Sequence, residues 1–349
     1  MTEEFYGYAA FSKESGLKLY SYTPKPLGDE DVEVGISHCG ICGSDLHTMR
    51  SGWRPTRYPI IVGHEIVGKV LKKGSKVIDF NVGDRVGVGC QLQSCRKCDE
   101  CRMGYEQLCA KKVFTYNDMW KDAEGNPTKY PTQGGYADKI RTHSDFAFHI
   151  PEEISSAEAS PLLCAGVSTF VPLKRHKIGQ GNKVGIAGIG GLGHMAIQWA
   201  AKMGAEVTAI SHSSGKRDDA IKLGATHFLN FSDPEEVEKF ANSQDLIILT
   251  SFNPHTDWSK CLRLLKNHGI FVLLGLPEVP LQIPPFALMR DVKIEGSLIG
   301  GRQDVKDMLE FAAKHNVRSW VQKVPMKDVN EGIKIMLDGK ARYRVVLEN

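Results

Sequence analysis

Residues 183–204 read KVGIAGIGGLGHMAIQWAAKMG, in which a short apolar run, a glycine-rich turn and a helical pattern follow one another directly. The turn fits the spacing GxGxxG, a weak signal by itself. A strand before it and a helix after it are the context that a dinucleotide-binding turn requires. Bare glycines let backbone N–H groups approach a pyrophosphate at the helix N-terminus. The predicted cofactor-binding residues on the turn are Gly188, Gly190, Gly191, Leu192 and Gly193.

Apolar segments of strand length continue beyond this turn and alternate with helical patterns. A helical pattern in SKCLRLLKNHG (259–269) separates two of them. This alternation predicts a doubly wound parallel sheet of the Rossmann type. The segments are EVTAIS (206–211), THFLN (226–230), DLIILT (245–250), GIFVLLG (269–275) and VKIEGSLI (292–299).

The end of the second predicted strand, ISHSSGKRDD (210–219), bears on the choice of cofactor. An NAD enzyme places Asp or Glu about 20 residues beyond the glycine motif, where the carboxylate binds the ribose 2′-OH. Ser211 stands there instead. The hydroxyls of Ser211 and Ser213, the ring of His212 and the charge of Lys216 suit a 2′-phosphate. We therefore predict NADP(H), the alternative being an ordinary polar loop with solvated Lys216 and Arg217.

A stretch rich in cysteine, SCRKCDECRMGYEQLC, occupies residues 94–109. Zn²⁺ takes four ligands in a tetrahedron, and short CxxC steps let the chain wrap around one ion. Four thiolates leave no open position, so the site would be structural. An iron–sulfur cluster or free thiols are the alternatives, and the absence of a CP ending favours zinc. The predicted ligands are Cys95, Cys98, Cys101 and Cys109.

The composition is that of a globular protein. The 349 residues are 42% hydrophobic, which suggests roughly two domains. The start, MTEEFYGYAAFSKESG, lacks the basic region and apolar core of a signal peptide, so we expect a cytoplasmic protein. Nine cysteines are too few for a disulfide-dense secreted scaffold. A net charge of +3 without basic blocks gives no indication of nucleic-acid binding, and no apolar run is long enough for a membrane span.

Three further motifs are GICGSDLH (40–47), GHE (63–65) and PLLCAGVST (161–169), and none is diagnostic alone. Their order, together with the four-cysteine lobe and the glycine turn, resembles the zinc-dependent medium-chain alcohol dehydrogenases. The resemblance is closest to the cinnamyl alcohol dehydrogenase group. It extends along the whole chain and includes YND (116–118), TQGGYAD (132–138) and YRVVLEN (343–349).

The resemblance implies a catalytic zinc held by Cys42, His64 and Cys164, with Glu65 as an alternate ligand. Two thiolates, one imidazole and an open fourth position are typical of catalytic zinc. Asp45 would orient a ligand, because metal-bound imidazole commonly donates its other N–H to a carboxylate. The remaining thiols are expected to be buried and not to be ligands; they are Cys39, Cys90 and Cys261.

The reaction implied is hydride transfer between an alcohol carbon and the nicotinamide ring, with zinc polarising the oxygen. Ser44 and His47 match the family's relay, which passes the alcohol proton through a hydroxyl and the cofactor ribose to an imidazole. Histidine suits the outer end because its side chain titrates near neutral pH. A surface role in a helix is the alternative for His47.

The resemblance also implies further contacts around the cofactor and the substrate. The nicotinamide contacts would come from Ser168, Thr250, Ser297 and Ile299. Arg344 resembles an arginine that meets the pyrophosphate, although Arg342 lies two residues away. The substrate-pocket candidates are Trp53, Phe114, Trp120 and Leu298. Core packing explains any one of these aromatic residues equally well, so the lignin-alcohol specificity of the group is not carried over.

The domain organisation follows from the order of the motifs. A GroES-like, mostly-β catalytic domain is expected at 1–154 and 296–349, and a Rossmann coenzyme domain at 155–295. Family members are commonly joined through their coenzyme domains, so a homodimer is expected. The predicted activity interconverts primary alcohols and aldehydes with NADP(H). The alternatives are an NAD-dependent zinc polyol or amino-alcohol dehydrogenase, and a zinc-ribbon binding module, which leaves GIGGLG and GHE unexplained.

Overall fold

The computed structural model describes residues 3–251, 257–276 and 280–349. Contacts between Cα atoms divide the chain into two compact units. The first unit comprises Met1–Val167 and Gly300–Asn349, and the second comprises Ser168–Ile299. In the described residues, no helix has both the length and the apolar character needed to cross a lipid bilayer.

The strands and helices follow one another along the chain. The first group is β1 (Phe5–Ala10), β2 (Lys18–Tyr22), β3 (Asp31–Gly40), α1 (Gly43–Met49), β4 (Ile60–Ile61), β5 (Ile66–Lys73), β6 (Arg85–Val88), β7 (Gln91–Gln93), α2 (Asp99–Arg102), β8 (Val113–Phe114), β9 (Met119–Lys121), β10 (Pro127–Pro131), β11 (Lys139–His143), β12 (Ala147–His149), α3 (Ser156–Ala159) and α4 (Ala165–Arg175). The second is β13 (Lys183–Ala187), α5 (Gly193–Lys202), β14 (Glu206–Ser211), α6 (Arg217–Lys222), β15 (His227–Asn230), α7 (Pro234–Lys239), β16 (Gln244–Leu249), α8 (Trp258–Arg263), β17 (Leu265–Leu273) and β18 (Lys293–Gly296). The last is α9 (Arg302–His315), β19 (Val321–Pro325), α10 (Val329–Leu337) and β20 (Arg344–Glu348).

The first unit is mostly β-structure. Its largest sheet has the strand order β12-β6-β5-β3-β20-β19, and β11 also pairs with β3. The chain end enters this sheet because β20 pairs antiparallel with β3, while β19 pairs parallel with β20. Val32, Val34, Ile66 and Val70 face a buried core on the paired strands β3 and β5. The C-terminal segment, which is predicted to belong to the first domain, therefore lies in the main sheet of this unit.

The second unit contains a six-stranded sheet in the order β15-β14-β13-β16-β17-β18, with every neighbouring pair parallel. Numbered from β13, this is the order 3-2-1-4-5-6 of dinucleotide-binding folds. Four successive residues of β16, Leu246–Leu249, are buried, as expected for a strand covered on both faces. The predicted Rossmann sheet is confirmed.

One predicted element is wrong in its extent. A helix was expected over 259–269, but α8 ends at Arg263 and β17 begins at Leu265. Leu265 is fully buried and pairs with Gln244 of β16, across an irregularity in the register. Tertiary strand pairing therefore overrides the helical pattern after residue 263.

The predicted domain boundary at residues 154/155 lies before α3, whereas the division by contacts falls after Val167, inside α4. Helix α3 contacts β3 and β5, and the following 3₁₀ turn Ser160–Leu163 contacts β3, β5 and β6. Leu162 and Leu163 are buried against these strands. The segment between the two positions therefore packs with the first unit.

Candidate metal and cofactor sites

Four candidate metal ligands from three chain segments meet in the first unit. The metal-binding atoms of Cys42, His64, Glu65 and Cys164 all lie within 4.8 Å of one another. Cys42 caps α1 directly after β3, and His64 and Glu65 precede β5. Antiparallel pairing of β3 with β5 brings these two segments together, and the turn before α4 adds Cys164.

The donor set fits Zn²⁺. In the described part of the chain, His64 Nε2 is buried and has no hydrogen-bond partner. The pKa of the Cys42 thiol lies well below its usual range, chiefly because Cys164 donates a hydrogen bond to it, with His64 adding to the effect. Two sulfurs and one imidazole nitrogen converging in a buried pocket are the ligands of a catalytic zinc site. Glu65 adds a carboxylate to the same cluster.

Glu65 also has a cationic partner, Arg344. Arg344 Nη2 donates to Glu65 Oε1 at 2.5 Å, and both side chains are buried. Burial raises the pKa of Glu65, and the guanidinium opposes that rise because it favours the carboxylate. Glu65 Oε2 has no hydrogen-bond partner among the described residues. Arg344 thus pairs with a carboxylate of the metal cluster, and its expected contact with the cofactor pyrophosphate stays a prediction.

Sequence reasoning missed the position of Cys90. Its thiol is half-buried and lies beside Cys164 and His64. A hydrogen bond from Cys164 lowers the pKa of Cys90 to about 6. Cys90 is thus a third sulfur beside the cluster rather than a plain core thiol. The other two excluded cysteines, Cys39 and Cys261, are buried as expected.

The four-cysteine lobe also has the geometry of a zinc site. Sγ–Sγ distances are 3.5 Å for Cys98–Cys101, 3.6 Å for Cys95–Cys109 and 4.0 Å for Cys95–Cys101. A tetrahedron with Zn–S bonds near 2.3 Å has edges of about 3.8 Å. Backbone N–H groups of Cys98 and Lys111 point at two of the sulfurs, at 3.3 Å. These sulfurs are already spaced for one tetrahedral ion.

The proposed relay residues lie on α1. Ser44 Oγ lies 3.7 Å from Cys42 Sγ, and His47 follows three residues later, on the same face of the helix. The His47 ring stacks on Trp53, with centroids 4.4 Å apart and an interplanar angle of 14°. The structure therefore brings together Ser44, His47 and one of the four substrate-pocket candidates.

The other substrate-pocket candidates lie in different surroundings. Phe114 is half-buried, with Lys112 Nζ 5.5 Å from its ring centroid. Trp120 is buried in the wall of a separate cavity of about 240 Å³, which Tyr130 also lines, with Lys25 Nζ 4.3 Å from its ring centroid. Leu298 belongs to the second unit and is 42% exposed. Arg54, next to Trp53, lies 5.9 Å from the Phe114 ring centroid, and the substrate-pocket role of all four side chains stays a prediction.

The glycine turn of the second unit has the shape of a phosphate cradle. Gly188 has φ +95°, a conformation that favours glycine. A Cβ at Gly193 would lie 1.8 Å from the Gly188 carbonyl oxygen, so only glycine fits where α5 begins. At Gly190 an added Cβ would meet no described atom within 4 Å. The middle glycine therefore leaves the turn open to a pyrophosphate.

The predicted nicotinamide contacts are spread along the second unit. The Thr250 hydroxyl lies 2.9 Å from the Gly188 carbonyl oxygen, so it supports the glycine turn. Ser168 lies half-buried on α4. Ser297 Oγ is buried without a hydrogen-bond partner among the described residues, and Ile299 adopts φ +37°. The buried Ser297 hydroxyl is therefore available to form a hydrogen bond with a ligand.

The end of β14 presents polar groups beside the glycine turn. Ser211 ends the strand, and His212 and Ser213 are exposed just after it. Lys216 Nζ donates to the Ile189 carbonyl oxygen at 2.6 Å, which places its charge at the turn. Arg217 instead approaches Glu236, at 3.5 Å. The residues predicted to bind the 2′-phosphate thus lie at and just after the carboxyl end of β14, beside the glycine turn.

Comparison with known proteins agrees with this architecture. Residues 28–152 match the alcohol dehydrogenase GroES-like domain family and residues 191–314 the zinc-binding dehydrogenase family. The chain is 41% identical to NADP-dependent alcohol dehydrogenase C 1 of Mycolicibacterium smegmatis, over 98% of this chain and 97% of that protein. It is 36% identical to a cinnamyl alcohol dehydrogenase of Sorghum bicolor, with a TM-score of 0.94 and 99% and 98% of the two chains covered.

A second solved structure, the cinnamyl alcohol dehydrogenase of Helicobacter pylori complexed with NADP(H), has a TM-score of 0.91. It is 36% identical and covers 100% of this chain and 99% of its own. Both domains, both cysteine-containing clusters and the glycine turn thus occur in one chain that resembles these enzymes from end to end. The protein belongs to the zinc-dependent medium-chain alcohol dehydrogenase family.

Proposed function

We propose that this protein is a zinc-dependent oxidoreductase that interconverts primary alcohols and aldehydes by hydride transfer with NADP(H). The observation that carries the proposal is the buried cluster of two cysteines, a histidine and a glutamate, with His64 Nε2 unpartnered among the described residues. Such a cluster binds a metal ion, and the glycine turn provides for a nucleotide. The cinnamyl alcohol dehydrogenase relatives support aldehydes and alcohols as the substrate class.

Cys42, His64 and Cys164 would hold the zinc ion, and Glu65 would be an alternate ligand. When bound, zinc acts as a Lewis acid that polarises an alcohol or aldehyde oxygen. Ser44, on the first turn of α1, would accept the alcohol proton. His47, one turn further along the helix, would carry that proton towards solvent.

Replacing His47 with glutamine tests the relay. We expect alcohol oxidation to slow by roughly tenfold or more near neutral pH, because the amide cannot take up the proton. Rates measured from about pH 6 to pH 9 would span the range in which an ordinary imidazole titrates. His149→Gln, on β12 of the same unit, is the matched control and should leave the rate unchanged. A His47→Gln protein as fast as the parent throughout this range would exclude the relay.

The preference for NADP(H) rests on the residues after β14. Ser211 stands where a carboxylate would repel a 2′-phosphate, and Lys216 brings a cation to the glycine turn. One charge-assisted hydrogen bond contributes about 1.5–3 kcal/mol, which corresponds to about ten- to a hundredfold in affinity. The partial exposure of these groups favours the lower end.

The double change Ser211→Asp, Lys216→Ala should remove this preference. We expect kcat/KM with NADPH to fall by about ten- to a hundredfold relative to NADH. Lys222→Ala, an exposed lysine at the end of α6, is the matched control. A parent enzyme that uses NADH equally well would contradict the assignment and favour the NAD-dependent polyol or amino-alcohol dehydrogenase.

Two further properties accompany the proposed activity. Strand β18 ends the six-stranded sheet, and nearby Phe286 and Met289 are 88% and 79% exposed. A sheet edge with exposed apolar side chains is suited to pairing with a second copy, which supports a homodimer. All nine cysteines lie in the described residues and none forms a disulfide, which supports the reducing cytoplasm as the compartment.

A further inference from the structure

Asp45 is a fully buried carboxylate beside the metal cluster. Its Oδ2 accepts hydrogen bonds from the Cys42 backbone N–H at 2.9 Å and the Tyr136 hydroxyl at 2.8 Å. Its Oδ1 accepts from the Gly63 backbone N–H at 3.0 Å. A buried charge is costly unless hydrogen bonds replace its water. In the described residues these donors are neutral groups rather than lysine or arginine. The carboxylate therefore depends on each of these hydrogen bonds to replace the water lost on burial.

The same carboxylate fixes the ring of His64. Asp45 Oδ1 lies 3.1 Å from His64 Nδ1, and the Tyr116 hydroxyl lies 2.9 Å from that nitrogen. A carboxylate can only accept, so Nδ1 carries the proton and the lone pair lies on Nε2. Burial and the nearby Asp45 carboxylate raise the pKa of the Tyr116 hydroxyl well above its usual range. The two tyrosines thus approach the carboxylate from separate chain segments, and Nε2 is left for the metal.

The position of Tyr136 is tightly defined. Its backbone N–H donates to the Val62 carbonyl oxygen at 2.9 Å, so its segment runs alongside the residues before His64. A Cβ at Gly63, where φ is +101°, would lie 2.6 Å from the Tyr136 ring. Only glycine admits the ring at this distance. Backbone pairing with Val62 and the space left by Gly63, next to the ligand His64, therefore position the Tyr136 hydroxyl at Asp45.

We infer that Tyr136 and Tyr116 are positioning residues for the catalytic metal, which hold the Asp45 carboxylate and the His64 ring in their mutual orientation. Tyr136 acts through the carboxylate, Tyr116 contacts the His64 ring directly, and neither tyrosine belongs to the set of candidate ligands. Loss of the Tyr136 hydroxyl removes a donor from Asp45, and loss of the Tyr116 hydroxyl removes a partner of His64 Nδ1. Either change should leave the His64 ring less well held and weaken its binding of the ion. Partners outside the ligand shell typically change metal affinity or activity by 10–100-fold. This inference rests on the proposed function of the cluster.

Tyr136→Phe and Tyr116→Phe keep both rings and remove only the hydroxyls. The measurement is the rate at which the purified zinc enzyme loses its ions to a chromogenic chelator, with the ions that remain counted by native mass spectrometry. We expect each variant to lose the cluster ion about tenfold faster than the parent, towards the low end of that range, with release from the four-cysteine lobe unchanged. The Cys164→Ala protein, which retains only the lobe site, supplies the reference rate for the lobe.

Two further measurements separate positioning from general destabilisation. After cobalt substitution at the cluster, the visible absorption of the variants should differ from that of the parent, because it reports on ligand geometry. The KM for NADPH should be unchanged while kcat falls. Tyr58→Phe is the matched control, since its hydroxyl donates to the Met49 carbonyl oxygen and not to Asp45.

The possible outcomes are distinct. Faster loss from the cluster alone, with an altered cobalt spectrum, supports the inference. Unchanged release and spectra in both variants, or equal acceleration at both sites, would overturn it while leaving the proposed function standing. A parent protein that binds no ion at the cluster would overturn both.

Discussion

Replacing Cys164 with alanine is expected to lower kcat/KM by at least about a thousandfold and to leave a folded protein. The change removes one of three ligands, so the remaining cysteine and histidine hold the ion weakly. Lewis-acid polarisation contributes several kcal/mol to the transition state, and each 1.36 kcal/mol is a factor of ten in rate. The cluster is assembled on paired strands and a buried turn, so the fold does not depend on this one thiol.

The control for this variant is Cys261→Ala, which removes an equally buried thiol from α8 in the other unit. It should retain activity within a few-fold and both ions. Cys164→Ala should retain one ion and the circular dichroism spectrum of the parent. An active Cys164→Ala enzyme would contradict the assignment of this cluster as the catalytic site.

Replacing Cys98 with serine is expected to lower stability rather than to abolish the chemistry directly. Structural zinc supplies roughly 10 kcal/mol or more to the folding of small zinc domains. Even about 4 kcal/mol lost here would lower Tm by about 10 °C, at 2–4 °C per kcal/mol for units of this size. Thermal unfolding followed by circular dichroism, with zinc counted in parallel, measures the effect.

The lobe is joined to the rest of its unit through a buried charge. Glu106 is 3% exposed and accepts hydrogen bonds from Arg302, at 2.8 Å from Nε and 3.1 Å from the backbone nitrogen. Arg302 begins α9 and also pairs with Asp145 at 2.9 Å. Loss of the ion should therefore destabilise more than the lobe. A Cys98→Ser protein with the Tm of the parent and two bound ions would show that the lobe is not a structural zinc site.

Local signals in the sequence were sufficient for the Rossmann unit. A strand, a glycine turn and a helix are contiguous from residue 183 to residue 204, and the parallel strands are short apolar runs whose burial is nearly continuous. The four-cysteine lobe is similarly local, because its ligands span only residues 95–109. The helical pattern after Arg263 was misleading, since strand pairing with β16 decides the structure there.

The contacts that sequence reasoning missed are all long-range. Glu65 and Arg344 are 279 positions apart, and Asp45 and Tyr136 are 91 apart. No spacing pattern in the sequence indicates that the two residues of either pair are in contact. Tyr116 and Tyr136 do stand in YND and TQGGYAD, two motifs that carry the family resemblance. The motifs therefore mark both residues but do not indicate what the hydroxyls contact. Only the fold shows that both hydroxyls and the thiol of Cys90 reach the same cluster.

Each chain of the active enzyme is expected to hold two zinc ions, one at the closed four-cysteine site and one at the open cluster. Elemental analysis of purified, active protein, combined with native mass spectrometry, tests it most directly. We predict two zinc ions per chain, falling to one in both Cys164→Ala and Cys98→Ser, with activity lost along with the cluster ion. An active enzyme that contains one zinc ion per chain, or none, would contradict the assignment of two zinc sites.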